Sequence, residues 1–272
     1  MKKRQFWYIL TVLFFLSFHS YATDNLRLPD IRSMGTGGNG VTQTSFFNPA
    51  LVTLADKKTL QIHYFNRYHL KELGTVTGSF LYPNPILSAA IHLSSFGYDD
   101  YRESLLRFSL GKQLNERWAL GIGIHYSLLQ TALFDERPSR LSTDIGATFS
   151  PFDNLLIGML IMNAPSVSIG DKRADNNNFS GYNIQMGIQW EVINSLLIMG
   201  SMGTEKEQVL TGSIGMEYRA FNSFYLRAGI QSTPLLPSLG IGYDLSLFSI
   251  DVATVYHPVL GMSTGLGLSF TF

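Results

Sequence analysis

The chain has 272 residues, of which 15% are charged and 13% are aromatic, with no cysteine and a formal net charge of zero. The charged share is well below the roughly 25% of ordinary soluble domains. The neutral balance gives no reason to expect a nucleic-acid partner, and the absence of cysteine excludes disulfide bonds and thiolate metal sites. The length allows one or two domains.

The first 22 residues have the three parts of a secretory signal peptide. Residues 2–4 are basic, residues 6–18 form an apolar stretch, and Ser20 and Ala22 place small side chains at the two positions that a signal peptidase reads. The apolar stretch is shorter than the roughly 20 residues that a spanning helix needs. We therefore expect cleavage before Thr23. No later segment has the pattern of a spanning helix, so any membrane residence must come from strands.

Residues 23–58 hold neither the period of a strand nor that of a helix for long. They contain a glycine-rich stretch, Met34-Gly-Thr-Gly-Gly-Asn-Gly40, and then Phe46-Phe-Asn-Pro-Ala50. The glycine stretch lacks the Lys-Ser/Thr of a phosphate-binding loop, so no nucleotide cofactor is predicted. We expect irregular structure here, with one short helical turn after Pro49.

From Thr59 to the end, the chain repeatedly alternates large apolar side chains with small or polar ones, which is the period of a β-strand. Many of these segments are close to the about 9–11 residues that a tilted strand needs to cross the hydrocarbon layer. Short turns alternate with longer linkers, as is typical of bacterial outer-membrane barrels. The fourteen segments are roughly 59–68, 73–81, 86–96, 103–111, 118–129, 141–150, 155–162, 182–193, 196–204, 209–219, 224–232, 238–244, 248–257 and 262–272.

This pattern predicts an all-β fold, in which residues 59–272 form an antiparallel transmembrane barrel of about fourteen strands. Within 118–129 and 182–193, the even-numbered side chains are large and apolar, and we expect them to face lipid. An even strand number and the alternation of turns place both termini of the barrel in the periplasm. Several aromatic residues fall near the predicted periplasmic strand ends, where a girdle forms: Trp118, Trp190, Tyr218, Phe224 and Phe272.

Polar and charged side chains occur at positions that the alternation turns toward the lumen. Charges in a lumen of low dielectric constant need partners, and the presence of both signs allows a network across the barrel. Such a network either fills a narrow barrel structurally or forms a constriction that selects the cargo. The predicted members are Arg107, His125, Asp144, Glu191, Glu217, Arg227 and Asp251. The histidines show no zinc-ligand spacing, so no metal is predicted.

Two segments, 155–162 and 196–204, are apolar on both faces. One face meets lipid, so the other either packs against the N-terminal segment or lines a pocket for a hydrophobic molecule. Methionine adapts well to irregular apolar surfaces. The pocket hypothesis rests on Met159, Met162, Leu197 and Met199.

An enzyme is a further alternative. His92-Leu-Ser94 and His125-Tyr-Ser127 each place a histidine and a serine on one face of a strand, as in some barrel lipid hydrolases. Both pairs fall on the predicted lumen face, whereas a site that acts on membrane lipid is expected to face lipid. We therefore predict that the protein is not an enzyme.

Two parts of the chain resemble a known family. Arg32-Ser-Met-Gly-Thr-Gly-Gly38 followed by Phe47-Asn-Pro-Ala-Leu51 resembles the N-terminal hatch of FadL-type outer-membrane proteins. Thr143 to Pro151 followed by Leu155 to Asn163 resembles a hairpin of the PorV/PorQ-like branch, which is associated with type IX secretion. The resemblance implies a fourteen-stranded barrel and a hatch formed by residues 23–58. The hatch motif would comprise Met34, Gly35, Gly37, Gly38, Asn48 and Pro49.

Together, the pattern and the resemblance predict a non-enzymatic barrel in the outer membrane of a Gram-negative bacterium, surrounded by outer-membrane lipid. It would serve either as an accessory barrel that docks a secretion or surface protein, or as a conduit for a small hydrophobic ligand. The short loops favour docking slightly. An open diffusive porin is the alternative, and a lipid hydrolase is a weaker one.

Overall fold

The computed structural model of the protein describes residues 26, 30–132, 137–169, 182–204 and 210–272, so the predicted signal peptide lies outside the described residues. The described part is a single antiparallel sheet closed into a barrel of fourteen strands, which confirms the predicted fold. No helix within these residues is long and apolar enough to cross a membrane. The strands are β1 (Thr59–Asn66), β2 (Gly74–Tyr82), β3 (Ser88–Tyr98), β4 (Tyr101–Gln113), β5 (Trp118–Thr131), β6 (Ser139–Phe152), β7 (Leu155–Met162 and Ser166–Ile169), β8 (Asn183–Ile193), β9 (Leu196–Thr204), β10 (Leu210–Phe221), β11 (Phe224–Gln231), β12 (Leu236–Leu245), β13 (Phe248–His257) and β14 (Gly261–Thr271).

The barrel closes through the pairing of its first and last strands. Thr59 lies opposite Thr271, and the register continues without a bulge to Asn66 opposite Thr264. Because of this register, the leucine and phenylalanine side chains of β14 share one face of the sheet with the even-numbered side chains of β1. A closed sheet has no free strand edge, which is what a spanning sheet requires in a medium without hydrogen-bonding partners.

Strand β7 is interrupted, and it continues beyond residue 162, where the sequence pattern ended this segment. Its second segment, residues 166–169, pairs with β6 as the first segment does. Asn163 takes a left-handed conformation with φ of 55°, and Pro165 has no amide hydrogen to donate to the ladder. The Asn163 amide donates instead to the Asp144 carboxylate on β6, at 2.9 Å. An inward side chain thus replaces the missing ladder bond.

The outer and inner faces follow the predicted alternation. On β5, Leu120, Ile122 and Ile124 are exposed on the outside, whereas Ala119 and His125 are buried in the lumen. The same alternation on β8 exposes its even-numbered apolar residues. In water such an apolar belt would be unfavourable, and in a bilayer it is the expected lipid-facing surface.

The two ends of the barrel differ. The short-turn end holds the start of β1, the end of β14 and the tight turns such as 153–154, 194–195 and 222–223. The long-loop end holds the longer connections, including those after β1 and β5. At the short-turn end the predicted girdle residue Trp118 stacks on Phe149, with ring centroids 4.4 Å apart.

Residues 30–54, which we call the inner segment, run through the lumen and do not pair with the sheet. Helix α1 (Ile31–Gly35) begins at Asp30, whose side chain accepts a hydrogen bond from the Ser33 amide at 2.7 Å. Helix α2 (Gly40–Gln43) follows. A 3-10 helix (Pro49–Leu54) begins at Asn48, whose side chain accepts from the Ala50 amide at 3.1 Å. These capping residues satisfy backbone donors that the short helices leave unpaired.

Glycines on the inner face of the strands make room for the inner segment. A Cβ at Gly229 would lie 2.2 Å from the Thr36 carbonyl carbon, and one at Gly146 would lie 2.0 Å from the Asn48 side-chain oxygen. A Cβ at Gly158 would lie 2.5 Å from the Val41 carbonyl oxygen. A larger side chain would displace backbone atoms at Gly229 and Gly158, and the buried Asn48 side chain at Gly146. The lumen is therefore shaped to hold this segment.

Candidate functional site

The hatch-motif residues fall at the two places where the inner segment is held most tightly. Gly37 and Gly38 adopt φ of 82° and 79°, which a residue with a side chain rarely does. This turn brings the Gly37 amide to the Ser238 hydroxyl on β12, to which it donates at 3.0 Å. Further along, the Asn48 amide group donates to the Val41 carbonyl at 2.9 Å, and Pro49 begins the 3-10 helix.

One charged cluster ties α1 to the barrel wall. Arg32 donates two hydrogen bonds to the Glu217 carboxylate, at 2.8 and 2.6 Å. Arg227 joins Glu217 at 2.6 Å and Asp251 at 2.5 Å, so two cations and two carboxylates alternate. Partial burial lowers the pKa of Arg32, but the adjacent Glu217 carboxylate raises it more, so the pKa lies above its ordinary value. An arginine is charged at every physiological pH, so this contact is an ion pair.

A second charged cluster ties the Phe46–Phe47 stretch to the opposite wall. Arg107 on β4 lies 2.6 Å from the Asp144 carboxylate on β6, and the His125 ring lies 3.2 Å from the same carboxylate. The Arg107 guanidinium also donates to the Phe46 carbonyl and lies over its ring, 5.3 Å from the centroid. The cluster is nearly inaccessible to water. These charges compensate each other and fix the inner segment.

Six of the seven predicted lumen residues thus form two separate clusters, each of which contains an arginine paired with a carboxylate. The seventh, Glu191, lies at the exposed short-turn end of β8 and belongs to neither cluster. Sequence reasoning did not single out Arg32, the partner that the inner segment contributes. Alternation along a strand predicts which way its side chains point, but nothing comparable applies to an irregular segment.

The four residues of the predicted apolar pocket do not share a pocket. Met159 lies on the outer face and is exposed, whereas Met162 is buried on the inner face. Met162 packs with Val41, Phe46 and Phe47 of the inner segment. Met199 is likewise buried, and Leu197 is half-buried opposite Glu217. In β7 the inward apolar face serves for packing against the inner segment.

A cavity of about 250 Å³ lies between the inner segment and the long-loop end of the barrel. Its floor includes Met34, Gly37 and Gly38, and its walls come from strand ends near the loops. None of the four residues proposed for the apolar pocket lines it. The floor separates this cavity from the short-turn end. On β10, Ser213 lines the cavity, whereas Glu217, the partner of Arg32, lies nearer the short-turn end.

The mouth of the cavity carries basic and aromatic side chains. Arg67 and Tyr68 follow β1, and His257 ends β13. The Arg67 guanidinium lies over the Phe96 ring, 5.0 Å from its centroid, and the Tyr68 ring meets the His257 ring edge to face at 6.0 Å. Tyr68 adopts φ of 55°, an unusual conformation that turns its side chain toward the mouth.

The histidine–serine pairs do not form a catalytic arrangement in the described residues. His92 is buried beneath the Phe46 ring, and its Nδ1 lies 2.8 Å from the hydroxyl of Ser79, not from that of Ser94. His125 faces Asp144 within the second charged cluster. Neither histidine lines the cavity. The cavity has room for a small molecule, and none of the described serines that line it is paired with His92 or His125.

The sequence matches no protein-family model and no curated protein sequence. The fold is nevertheless similar to solved channel structures. The CymD monoaromatic hydrocarbon channel aligns with a TM-score of 0.67 at 14% identity, over 92% of this chain and 99% of that one. The Pseudomonas putida toluene transporter TodX gives 0.66 at 12% identity, over 91% and 99%. A Pseudomonas aeruginosa FadL homologue gives 0.57 at 13% identity, over 89% and 97%.

The chain therefore has the fold of outer-membrane hydrocarbon channels of the FadL type. That is the part of the family resemblance that these structures support, since identities of this size establish a shared fold alone. The three structures named above are channels, a transporter and a FadL homologue. The PorV/PorQ-like part of the resemblance stays a prediction from the sequence.

Proposed function

We propose that the protein is a conduit for small, largely apolar molecules in the outer membrane of a Gram-negative bacterium. The observation that carries the proposal is the cavity of about 250 Å³ on the long-loop side of the inner segment, inside a closed barrel with an apolar outer belt. A molecule enters from the long-loop end and is held above α1. It passes on when the inner segment moves.

The fold similarity to hydrocarbon channels favours this proposal over an open porin. An open porin needs a continuous water-filled lumen, whereas here Val41, Ala50 and Val52 of the inner segment are buried inside the barrel. A docking role, including one in secretion, stays a prediction from the sequence, since no feature of the described surface identifies a protein partner.

A matched pair of variants tests the conduit. Val255 on β13 lines the cavity, whereas Val252 on the same strand points outward toward lipid. Val255→Trp fills the cavity and Val252→Trp does not. The barrel is reconstituted into vesicles whose outer leaflet is lipopolysaccharide, and the entry of toluene is followed with a reporter trapped inside.

We expect the native barrel and Val252→Trp to speed toluene entry equally, and Val255→Trp to abolish the effect. Equal rates with and without the barrel would refute the proposal. Steady single-channel conductance of the native barrel in a planar bilayer would favour a porin instead.

A further inference from the structure

We infer that His257 makes the mouth of the cavity sensitive to acid, because the mouth is held while this ring is neutral and widens when the ring takes up a proton. This role rests on the proposed conduit and adds the control of its entrance. Three features support it: two hydrogen bonds that need a neutral ring, a ring contact that spans the mouth, and the same turn built elsewhere on asparagine.

The first feature is the pair of hydrogen bonds that His257 accepts. His257 ends β13, and the Val259 and Leu260 amides of the following turn both donate to its Nδ1, each at 3.1 Å. A ring nitrogen that accepts hydrogen bonds carries no proton of its own, so these two donors assign the neutral tautomer with the proton on Nε2. Protonation of Nδ1 would set a third donor against the two amides. Both bonds would then be lost.

The second feature is the contact that His257 makes across the mouth. Its ring meets the Tyr68 ring edge to face at 6.0 Å, and the Tyr68 amide donates to the Ser263 hydroxyl on β14 at 3.2 Å. All three residues line the cavity. In the barrel β14 lies between β1 and β13, so His257 and Tyr68 connect the residues after β1 with the end of β13 above it.

Protonation therefore acts on both sides of His257. The turn at 258–260 loses two hydrogen bonds, and the exposed Val259 and Leu260 side chains do little to hold it. The ring itself gains a charge, for which a half-buried position is unfavourable. We expect the charged ring to move into water and to leave Tyr68, which widens the mouth. The contact across the mouth is thus present at neutral and alkaline pH and is lost as the pH falls.

The third feature is that the same turn geometry occurs at the short-turn end of the barrel, where asparagine takes the place of histidine. The Asn84 side-chain oxygen accepts from the Ile86 and Leu87 amides at 2.9 and 3.3 Å. The Asn115 oxygen accepts from the amides two and three residues further on, both at 2.9 Å. An amide oxygen does not titrate, so these turns are held at every physiological pH. At the cavity mouth the acceptor is instead a side chain whose charge changes between about pH 5 and 8.

The elements around His257 in the described part of the chain carry few other charges. Residues 232–237 and 258–272 contain no titratable side chain. The connection after β1 and the outer end of β13 supply the rest, which are Arg67, Tyr68, His69, Lys71, Glu72 and Tyr256. Tyr68 contacts the ring and Arg67 lines the same cavity, and tyrosine and arginine side chains keep one charge state between about pH 5 and 8. His69 is exposed and lies outside the cavity lining, so it provides a control.

The first test observes the ring and the turn in the full barrel, with ¹⁵N-labelled histidine and NMR in lipid nanodiscs. At about pH 7.5 the His257 ring should show an unprotonated Nδ1, and the loss of its signals in His257→Asn assigns them. On lowering the pH to about 5, the hydrogen-exchange protection of the Val259 and Leu260 amides should fall about 30-fold, as the loss of two ordinary hydrogen bonds gives. In His257→Asn the protection should persist, because an asparagine oxygen accepts from such amides without titrating.

The second test measures toluene entry into the same lipopolysaccharide vesicles, with the long-loop end of the barrel facing outward and the interior held at about pH 7.5. Toluene has no titratable group, so its own partition into the membrane does not depend on pH. Lowering the outside to about pH 5 should speed entry through the native barrel severalfold. His257→Asn should give one rate at both pH values, and His69→Asn should keep the native pH dependence.

The outcomes separate the acid-sensitive mouth from the conduit. A proton on Nδ1 of His257 at about pH 7.5, or amide protection that persists in the native barrel at about pH 5, would refute the role of this ring in the turn. Loss of protection without a change in toluene entry, or a pH dependence that survives His257→Asn, would overturn its control of the mouth. If Val255→Trp leaves toluene entry unchanged, the conduit fails, whereas the tautomer and the turn are decided by NMR alone.

Discussion

Replacing Arg32 with glutamine should loosen the inner segment. The change removes the charged two-point contact between α1 and Glu217, while Glu217 keeps its ion pair with Arg227 at 2.6 Å. The Arg32 side chain is 44% exposed and that of Glu217 is 6% exposed. An exposed ion pair contributes about 0.2–1 kcal/mol, and the loss of one partner of a buried pair costs about 3–5 kcal/mol. For this half-buried pair we expect Arg32→Gln to destabilise the wall-bound position of the inner segment by about 1–2 kcal/mol. This corresponds to a roughly tenfold larger open population, in which the segment has left the wall.

The chain has no cysteine, so one introduced thiol reports on the opening without background. Thr36 is fully buried against the wall beside Gly215 and Gly229, and cysteine is close to it in size. In Thr36→Cys the thiol reacts with a water-soluble maleimide only when the segment leaves the wall. The labelling rate should rise about tenfold when Arg32→Gln is added, because the rate follows the open population when closing is fast.

Two further substitutions sharpen this measurement. Arg32→Lys keeps the charge but loses the two-point contact, so it should fall between the native protein and Arg32→Gln. Arg102→Gln, at the exposed outer turn, should leave the rate unchanged. Equal labelling of Thr36→Cys with and without Arg32→Gln would refute the view that this ion pair holds the segment in place.

Three other predictions concern stability, measured by urea unfolding of the barrel in lipid vesicles. Gly229→Val should lower the free energy of unfolding by at least about 1–3 kcal/mol through overpacking against the inner segment. Gly78→Val should be nearly neutral, because no atom lies within 4 Å of a Cβ built there. Equal effects of the two variants would contradict the packing described here. Asp144→Asn should cost about 3–5 kcal/mol because it leaves the Arg107 charge buried without its carboxylate, and a loss below 1 kcal/mol would argue against that pairing. Ile122→Arg should cost about 2–4 kcal/mol if this position faces the middle of a bilayer, and a neutral effect would argue against lipid contact there.

Much of the barrel was predictable because alternation is a local property of the chain. In β5 the even-numbered residues from Trp118 to Leu128 are apolar and the odd-numbered residues between them are small or polar. The peptide geometry turns the two sets to opposite faces whatever the strand contacts. Strand number, ends and lipid-facing residues follow from this pattern. The same rule placed Arg107, Asp144, Glu217 and Arg227 inside the lumen.

The interruption of β7 was not predicted, because alternation does not indicate where a ladder breaks. Pro165 was visible in the sequence, but the compensating bond from the Asn163 amide to Asp144 joins residues on two strands. The placement of the four residues proposed for an apolar pocket, with Met159 outside and Met162 inside, was not predictable for a related reason. Two apolar faces on one strand show that both are dry, and they do not reveal whether the inner one meets a ligand or another part of the chain.

What could be read from the residues alone is a closed sheet in lipid with a charged interior and an irregular N-terminal segment, since strand periodicity and composition are encoded within a few neighbouring positions. The pairing of Arg32 with Glu217, the division of the lumen charges into two clusters and the cavity above Gly37 all depend on contacts between residues far apart in the chain. Closure of the barrel brings those residues together, and no local pattern specifies the path of the inner segment within it.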